Sequence, residues 1–579
     1  MKTKLTEEVS IVLCGAAGLG IQTVEELLTK VLKKSGYHFF ATKEYMSRVR
    51  GGLNSTEIRV SKKPVKAFVE RIDLFFVFSP GAVSRHKHRL SKNTLIIGEH
   101  ENIMLDLGKY DSDMFEIPIT EEAQKLGNKV YSNSIAVGII TGLLDIELTL
   151  LDELLSQRFA MKGSEVITKN SEAVRIGYKY AKDLEESGRL IIDIQPTNQP
   201  TDRVLLGGTE AVAIGALAGG CNNVYAYPMS PSTGVWTFLS QHQKEFDLIV
   251  EQVEDEIAAV NAVIGSWFVG GRGMVTTAGG GFALMEEGIS LAGITETPIV
   301  IHLAQRPGPA TGLPTRTAQE DLNLALYSGH GEFPRIIFAP GTIEDAFYLT
   351  QKAFNLADKY QIPVFILTDQ YLLNSFYDMP QLDIQSLKIE SHTIETNENY
   401  KRYELTASGI SPRGIPGGKG LVAVDSHEHD EEGHITEDLE FMRKKMVEKR
   451  FKKKESFIKE TLPPEFIGDN DFTYLIISWG STYHIIAEAL KRIKNKQIAF
   501  LHFKQIFPLS QKTKDYLTQA KKIIVIENNF TSQFSVLLAS TFGMKHSESI
   551  LKYTGIPFSV EEIQERILQL LGVDSVEKQ

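Results

Sequence analysis

The first part of the chain alternates short apolar runs with amphipathic stretches. The apolar runs predict strands at residues 11–14, 74–78 and 94–98. The period of residues 21–33 predicts a helix directly after the first of these strands. Strands that alternate with helices favour a parallel sheet, because a crossover must join parallel neighbours. We therefore predict an α/β domain over residues 1–195, with a polar, proline-containing linker at residues 194–201.

The same alternation returns twice further along the chain. A second α/β domain is predicted over residues 203–380 and a third over residues 466–579. The strands of the second are predicted at residues 224–226, 248–250, 274–276, 298–303, 336–339 and 364–367, and those of the third at residues 474–477, 498–501 and 523–526. Between them, residues 381–465 form a polar linker that ends in a basic stretch, residues 443–459. We interpret that stretch as a solvated helix between domains, as charge runs usually are.

Composition narrows the classes of function. The 579 residues carry a net charge of -11, so general nucleic-acid binding is not expected. The sequence shows neither a run of about 18 apolar residues nor an apolar leader, so we expect a cytoplasmic protein without a membrane partner. The two cysteines, Cys14 and Cys221, are too few for an iron–sulfur site or a disulfide framework. Any redox centre should therefore lie on another chain.

Three loops in the second domain carry the chemistry-bearing residues. The first is residues 227–233 (Tyr-Pro-Met-Ser-Pro-Ser-Thr). Ser230 followed by Pro231 is typical of a helix N-cap with proline at the first helical position. The free N–H groups of such a helix could bind a carboxylate or a phosphate, with Ser230 at the mouth. A helix cap that binds nothing is the alternative.

An acidic cluster, residues 254–256 (Glu-Asp-Glu), opens the helix that leads to the second loop, residues 276–281 (Thr-Thr-Ala-Gly-Gly-Gly). Acids favour a helix N-terminus for electrostatic reasons alone. Glu256, however, begins a face that continues through Ala259 and Val263, which we expect to be buried. A buried carboxylate needs a partner. A ring nitrogen of a cofactor that shares its proton would satisfy it.

The third loop, residues 306–316, carries Arg306 and Arg316 among prolines and glycines and shows no apolar core pattern. Arginine suits bidentate capture of a carboxylate, and prolines would hold it rigidly. A surface loop with solvated arginines is the alternative. In an open α/β sheet, loops of this kind gather at the carboxyl ends of the strands, where ligands bind.

These motifs resemble the α subunit of 2-oxoacid:ferredoxin oxidoreductases, in the form that has a γ domain fused ahead of α. The similarity rests on residues 227–232, 254–256 and above all 306–322 (Arg-Pro-Gly-Pro-Ala-Thr-Gly-Leu-Pro-Thr-Arg-Thr-Ala-Gln-Glu-Asp-Leu), and it covers nearly the whole chain. Residues 47–52 resemble the γ-domain signature, and residues 428–434 resemble part of the family's linker. The resemblance implies, in chain order, a γ-type domain, a thiamine diphosphate pyrimidine-binding domain, the linker and a transketolase C-terminal-like domain.

The resemblance also implies an activity: thiamine- and coenzyme A-dependent oxidative decarboxylation of a 2-oxoacid with reduction of ferredoxin. It favours 2-oxoglutarate, with pyruvate, branched-chain and aryl 2-oxoacids as alternatives. Glu256 would contact N1′ of the pyrimidine and, with Ser230, act in catalysis. The implied cofactor-binding residues are Glu256, Tyr227, Pro228 and Thr277, and the implied substrate-binding residues are Ser230, Arg306, Thr315 and Arg316.

A β subunit is implied as the partner. The family's Gly-Asp-Gly segment for the diphosphate and its metal is missing here, and Gly468-Asp469-Asn470 lies in a polar hinge without a preceding strand. The β subunit should therefore bring the diphosphate site, Mg²⁺ and the iron–sulfur cluster, and no metal-binding residue is assigned to this chain. The histidines and acids of residues 427–434 could be read as metal ligands, but a hydrophilic loop is the preferred interpretation.

Two departures from the family stand out. Ser230 occupies a position where the family usually has Thr, and residues 277–281 (Thr-Ala-Gly-Gly-Gly) replace a Thr-Ser-Gly-Pro-Gly-like turn. The altered turn at residues 279–281 and the glycine-rich turn that ends at residues 18–20 motivate an alternative of another class, a non-catalytic nucleotide-binding regulatory module. The spacing of that turn does not match the dinucleotide fingerprint.

Overall fold

The fold rests on three large sheets, seen in a computed structural model that describes residues 3–17, 21–46, 52–107, 112–197, 203–544 and 547–572. Several sequence features lie outside these ranges: the turn at residues 18–20, most of the γ-like signature at residues 47–51, and the end of the predicted linker at residues 198–201.

The strands of the described residues are short, and most are buried. In chain order they are β1 (Thr3–Leu5), β2 (Glu8–Ala16), β3 (His38–Glu44), β4 (Leu53–Ser61), β5 (Leu74–Val77), β6 (Leu95–Gly98), β7 (Asp113–Glu116), β8 (Leu190–Ile192), β9 (Arg203–Gly207), β10 (Asn223–Ala226), β11 (Ile249–Gln252), β12 (Gly273–Thr277), β13 (Ile299–Gln305), β14 (Ile336–Phe338), β15 (Pro363–Asp369), β16 (Phe376–Pro380), β17 (Thr393–Ile394), β18 (Arg413–Gly414), β19 (Glu465–Ile467), β20 (Tyr474–Trp479), β21 (Ile498–Phe503), β22 (Gln505–Phe507), β23 (Lys522–Glu527) and β24 (Glu548–Leu551).

Helices connect most of these strands. They are α1 (Ile21–Lys34), α2 (Ala82–His86), α3 (His100–Leu107), α4 (Ile119–Lys125), α5 (Ser132–Leu143), α6 (Leu148–Phe159), α7 (Ser164–Glu186), α8 (Gly208–Ala218), α9 (Thr233–Gln241), α10 (Glu256–Phe268), α11 (Gly279–Leu284), α12 (Glu286–Ile294), α13 (Leu322–Tyr327), α14 (Ile343–Tyr360), α15 (Gln370–Asn374), α16 (Lys444–Phe457), α17 (Tyr483–Ile493), α18 (Thr513–Gln519), α19 (Gln533–Phe542) and α20 (Val560–Leu570). Short 3₁₀ turns lie at Lys87–Arg89, Lys129–Tyr131, Ala160–Lys162, Ile458–Glu460 and Gly480–Thr482, and a π-helical turn lies at Leu439–Arg443. None of the described helices is long and apolar enough to cross a membrane.

The chain divides into two compact units. The first comprises Met1–Leu206, Ser375–Gln381 and Ser559–Glu561, and the second comprises Gly207–Asn374, Leu382–Phe558 and Glu562–Gln579.

The sheet of the first unit is mixed, with the order β7-β6-β5-β2-β4-β3-β16-β9. β2, β5, β6 and β7 are parallel, but β4 is antiparallel to both β2 and β3. The predicted parallel arrangement is therefore confirmed for the three predicted strands, which correspond to β2, β5 and β6, but the sheet as a whole is mixed because β3 and β4 were not predicted. Side chains of β2 enter cores on both faces, with Ile11 and Leu13 on one side and Val12 on the other. The apolar run shows that this strand is buried, but it carries no information about the direction of its neighbours.

The second unit contains a seven-stranded sheet in the order β11-β10-β12-β13-β15-β14-β22. All neighbours are parallel except β22, which runs antiparallel to β14. Every residue of β12, β13 and β15 is buried, as expected of central parallel strands covered by helices. The strands predicted in this region are confirmed, with ends that differ by a residue or two. Their carboxyl ends lead into the three loops identified in the sequence.

A five-stranded sheet, in the order β19-β21-β20-β23-β24, follows in the same unit. Gln319, from the segment after β13, joins it to the larger sheet. The Gln319 side chain donates to the carbonyl of Trp479 at the end of β20 (2.8 Å) and accepts from the backbone of Asn528 after β23 (2.9 Å). The carboxyl ends of strands from both sheets therefore meet beside the third loop.

The segment predicted as a polar linker contains little regular structure before α16, yet it is anchored by buried charges. Arg413 and Arg272 both pair with the buried Asp358. On α16, Lys449 and Lys453 pair with Glu296, and all three are almost completely buried. The solvated helix predicted for the basic stretch is therefore wrong on this face. A charged face can be buried when its charges are paired, and the partner carboxylate lies about 150 residues away in the sequence.

Candidate functional site

In the first loop, Ser230 is held through its backbone carbonyl. Helix α9 begins at Thr233, and a turn precedes it. In this turn the Ser232 hydroxyl donates to the carbonyl of Met229 (2.6 Å). The Ser230 carbonyl accepts a hydrogen bond from Arg306 Nη1 (2.6 Å). The predicted N-cap at Ser230 with Pro231 at the first helical position is therefore wrong, because the turn at residues 229–232 delays the helix. Ser230 is joined instead to the third loop, while Tyr227, earlier in the first loop, is exposed.

Glu256 is the first residue of α10, and Asp255 caps that helix by accepting from the backbone of Ala258 (2.8 Å). The Glu256 side chain is buried, as the sequence pattern predicts, together with Ala259 and Val263. Its Oε1 is 3.5 Å from the Thr277 hydroxyl, a long contact for a hydrogen bond. Burial raises the pKa of the Glu256 carboxyl, against the opposing effects of its own backbone N–H and of Thr277. The site thus holds a buried acid whose neutral form is favoured by burial.

The second loop is a glycine turn covered by two carboxyl groups. A Cβ on Gly281 would lie 2.3 Å from Glu256 Oε1 and 2.2 Å from Thr277 Oγ1. A Cβ on Gly279 would lie 2.6 Å from both carboxylate oxygens of Asp321. At Gly280, by contrast, the nearest described atom is the Ala310 carbonyl at 3.8 Å. A side chain at 279 or 281 would therefore have to displace these groups, whereas position 280 is open.

Arg306 follows directly after β13 and is partly buried. Burial lowers the pKa of its guanidinium, and the charge of Asp321 opposes that effect. The loop around it is closed by two backbone contacts. Leu313 N–H donates to the Pro307 carbonyl (3.0 Å), and Gly308 N–H donates to the Glu320 carboxylate (3.0 Å). The guanidinium is therefore held in a defined place, and no carboxylate of the described residues forms a salt bridge with it.

The two other residues predicted in this loop, Thr315 and Arg316, lie in different surroundings. Thr315 is buried. Arg316 packs against Gly555, where a Cβ would lie 3.1 Å from its own Cβ, and Thr317 N–H donates to the Gly555 carbonyl (3.0 Å). The structure thus places Arg306 with Ser230, and Arg316 with the loop after β24.

Asp321 belongs to the site, but it was not singled out from the sequence. Its backbone N–H donates to Gln305 Oε1 (3.1 Å), and its Oδ2 is buried without a hydrogen-bond partner in the described part of the chain. Burial and the neighbouring Glu320 raise the pKa of this carboxyl to about 7, although Arg306 acts in the opposite direction. The sequence did offer a signal for Asp321. It is an acid five residues after Arg316, within the most specific motif of the chain.

The histidine-rich segment gives no metal site. His429 is fully buried and stacks on Tyr403, with ring centroids 3.7 Å apart. Across the described ranges, no group of three or more His, Cys, Asp or Glu side chains could hold a metal ion.

These elements define a class of protein, an α/β chain with a buried acid and a partly buried arginine at the carboxyl edge of a parallel sheet. Residues 214–449 match the family described as pyruvate flavodoxin/ferredoxin oxidoreductase, thiamine diphosphate-binding, and residues 10–180 match the pyruvate ferredoxin/flavodoxin oxidoreductase family. The chain belongs to the α-subunit family of 2-oxoacid:ferredoxin oxidoreductases. It is 32% identical to the α subunit of the 2-oxoacid:ferredoxin oxidoreductase from Sulfolobus sp, over 97% of each chain.

Two further relatives carry 2-oxoglutarate in their names. The 2-oxoglutarate oxidoreductase subunit KorA of Mycobacterium tuberculosis is 26% identical over 96% of this chain and 90% of its own. A solved structure of 2-oxoglutarate:ferredoxin oxidoreductase from Magnetococcus marinus, with 2-oxoglutarate, coenzyme A and succinyl-CoA bound, is 29% identical. It superposes with a TM-score of 0.90 over 97% of this chain and 99% of that one. The resemblance seen in the motifs and the α/β fold class are confirmed.

Proposed function

We propose that this chain forms, with a β subunit, an enzyme that oxidatively decarboxylates 2-oxoglutarate. Coenzyme A would accept the acyl group, CO₂ would be released, and ferredoxin would take up the electrons. The observation that carries the proposal is the pairing of two features at one sheet edge. A buried, weakly partnered acid, Glu256, lies against the glycine turn, and Arg306 is held against the Ser230 loop.

The residues at Glu256 fit the pyrimidine of thiamine diphosphate. Burial favours the neutral form of this carboxyl group, and a neutral carboxyl group can share its proton with a ring nitrogen, which an ionised one cannot do. Glu256 would hold that proton at N1′, with Thr277 beside it and the backbone of residues 227 and 228 at the rim. When bound, thiamine diphosphate supplies the nucleophile and the electron sink for decarboxylation. The role of this chain is to fix the orientation and protonation of the ring.

Arg306 and Thr315 would bind the carboxylate of the 2-oxoacid, with Ser230 beside the substrate carbonyl. A partly buried guanidinium that forms no salt bridge with a carboxylate in the described ranges is suited to a charge-assisted hydrogen bond with an anion. Because Arg306 is already bonded to the Ser230 carbonyl, the same contact would position Ser230. Arg316 remains a candidate for a second anion contact, for instance with the distal carboxylate of a dicarboxylic substrate.

The partner subunit would complete the site. The sequence lacks a Gly-Asp-Gly segment for the diphosphate and its Mg²⁺, and its two cysteines, Cys14 and Cys221, are both buried. Burial raises the pKa of both thiols, to about 11 for Cys14 and about 12 for Cys221. Such thiols stay protonated at neutral pH and are poor metal ligands. We therefore assign the diphosphate contacts, the metal and the iron–sulfur cluster to the β subunit.

The test is an assay of the native complex, isolated by a tag on this chain. Coenzyme A-dependent reduction of viologen is measured without oxygen, using 2-oxoglutarate, pyruvate, 2-oxoisovalerate and indolepyruvate in turn. Preference for 2-oxoglutarate is expected. Preference for another acid would overturn the substrate assignment but retain the reaction. If a thiamine-binding, iron–sulfur partner did not co-purify and no acid were oxidised, a non-catalytic module would replace the proposal.

A further inference from the structure

Asp321 is an acid of the site that the proposed reaction does not use. It lies at the end of the loop that carries Arg306, and its backbone is tied to Gln305, the residue before Arg306. Its carboxylate lies flat on Gly279, with both oxygens 2.6 Å from the position that a Cβ would occupy. Glycine at 279 is what allows a carboxyl group to lie there.

This carboxyl group is not held by a hydrogen-bond network. Its Oδ2 is buried and unpartnered within the described part of the chain. Arg306 donates to the Ser230 carbonyl instead, and Glu320 accepts from Gly308 N–H. Arg306 and Asp321 nevertheless act on each other electrostatically. A buried carboxyl group in this setting acts on the site chiefly through its charge, because no hydrogen bond from a described residue reaches its buried Oδ2.

The charged groups around Asp321 are few. Arg306 comes from the end of β13, Glu320 precedes Asp321 in the chain, and Glu256 lies on the other side of the glycine turn, against Gly281. Glu320 disfavours a negative charge at Asp321, whereas Arg306 favours it. A substrate carboxylate on Arg306 would add another negative charge beside Asp321 and would therefore favour its protonated form.

We propose that Asp321 is a positioning residue that sets the electrostatic strength of the Arg306 site, binding the 2-oxoacid well when it is neutral and poorly when it is ionised. This inference rests on the proposed function, in which Arg306 holds the substrate carboxylate. The neutral acid leaves the full charge of Arg306 to the substrate. The ionised acid neutralises part of that charge and repels the incoming anion.

The pH range follows from the carboxyl group itself, whose pKa is raised to about 7. Below that pH, Asp321 is protonated and the KM for the 2-oxoacid is low. Above that pH, the KM rises, because the substrate must then bind beside the ionised Asp321 or bind together with the proton that neutralises Asp321. Affinity for coenzyme A should not follow this profile. Asp321 would thus make substrate affinity sensitive to pH near neutrality.

The test uses the complete complex and the 2-oxoacid that it oxidises best. The KM of the wild type is expected to rise about tenfold between pH 6.5 and 8.5, the effect of roughly one screened charge near the substrate. In Asp321→Asn, the KM should stay within about twofold over the same range, because the side chain cannot ionise. A merely structural role for Asp321 would change KM or kcat without removing the pH dependence.

Two further variants separate the possible failures. Glu320→Gln keeps an acceptor for Gly308 but removes a charge that raises the pKa of Asp321, so the rise in KM should begin at lower pH. This variant also carries the test if Asp321→Asn does not assemble. If Arg306→Ala leaves the KM unchanged, the proposed carboxylate site is wrong. If Arg306→Ala raises the KM while Asp321→Asn and Glu320→Gln keep the wild-type pH profile, only the role of Asp321 is overturned.

Discussion

The carboxylate of Glu256 fills the space that a side chain at Gly281 would need, with Oε1 2.3 Å from the position of a Cβ. This contact explains the glycine at position 281, because a larger residue would collide with the buried acid at the start of α10. The same position lies 2.2 Å from the Thr277 hydroxyl, so a side chain at 281 would press on both groups. The departure of residues 278 and 280 from the family's turn therefore leaves this contact intact.

Gly281→Ala should displace Glu256 and lower kcat by about 100-fold, since a shift of about 1 Å at a reacting group has effects of that size. Gly280→Ala is the matched control, because the nearest described atom to its Cβ would be 3.8 Å away. It should keep full activity and stabilise α11 slightly, as alanine does relative to glycine within helices. The measurement is the steady-state kcat of the complexes that carry Gly281→Ala and Gly280→Ala. Equal activities would show that the contact with Gly281 does not position Glu256.

Glu256→Gln should lower kcat by about 10² to 10⁴-fold, because an amide cannot share a proton with the ring nitrogen as a carboxyl group does. Glu254→Gln is the control, since Glu254 belongs to the same acidic cluster but is exposed. Both complexes should assemble normally, as judged by size and by co-purification of the partner. Turnover of Glu256→Gln close to that of the wild type would support the non-catalytic module over the enzyme.

Arg306→Ala should raise the KM for the 2-oxoacid by at least about 30-fold, since losing one partner of a charge-assisted pair costs 2 kcal/mol or more. Arg316→Ala tests the second anion contact, and its effect should be confined to dicarboxylic substrates. The measurement compares KM values for 2-oxoglutarate and pyruvate in both variants. If Arg316→Ala raised the KM for both acids more than Arg306→Ala does, Arg316 would be the residue that binds the 2-oxoacid carboxylate, and Arg306 would be the second anion contact.

The buried cluster of Glu296 with Lys449 and Lys453 carries one more positive than negative charge when both lysines are protonated. Burial lowers the pKa of Lys453 to about 7, and Glu296 opposes that effect. Lys453→Met should change the melting temperature little or raise it, because the Lys449–Glu296 pair remains. Glu296→Gln should destabilise the chain by about 3–5 kcal/mol, because it leaves buried cations without a counter-charge. Thermal unfolding of the complex would measure both, and a larger loss in Lys453→Met would contradict the expected order.

Asp321 should also affect stability in a pH-dependent way. Its carboxyl has a raised pKa in the folded protein, about 7 against 3.8, so the unfolded chain loses this proton first as pH rises. The contribution of Asp321 to stability therefore falls between about pH 4 and pH 7 and stays low above that range. Asp321→Asn should raise the melting temperature relative to the wild type at pH 8 more than at pH 5. No difference between the two pH values would show that Asp321 is ionised in the folded state at both.

The sequence by itself determined the elements that follow from local periodicity and from motif chemistry. Mostly apolar runs located the central strands β12, β13 and β15, because strands covered by helices on both faces favour apolar side chains. The apolar face that begins at Glu256 showed that this acid is buried. The loop of residues 306–322 was specific enough to identify the family from the sequence alone. The assignment of individual site residues to cofactor and substrate remains a prediction.

Only the tertiary structure decided how distant residues pair, because a local pattern says nothing about a partner far along the chain. The sheet of the first unit is mixed because β4 lies between β2 and β3, which a run of apolar residues does not reveal. The basic face of α16 is buried because Glu296 supplies the counter-charge. Ser230 is not a cap, because the turn ending at Ser232 precedes α9 and Arg306 holds the Ser230 carbonyl. Asp321 joins the site because the fold brings Gly279 against its carboxylate, and the low dielectric of that contact gives the group its raised pKa.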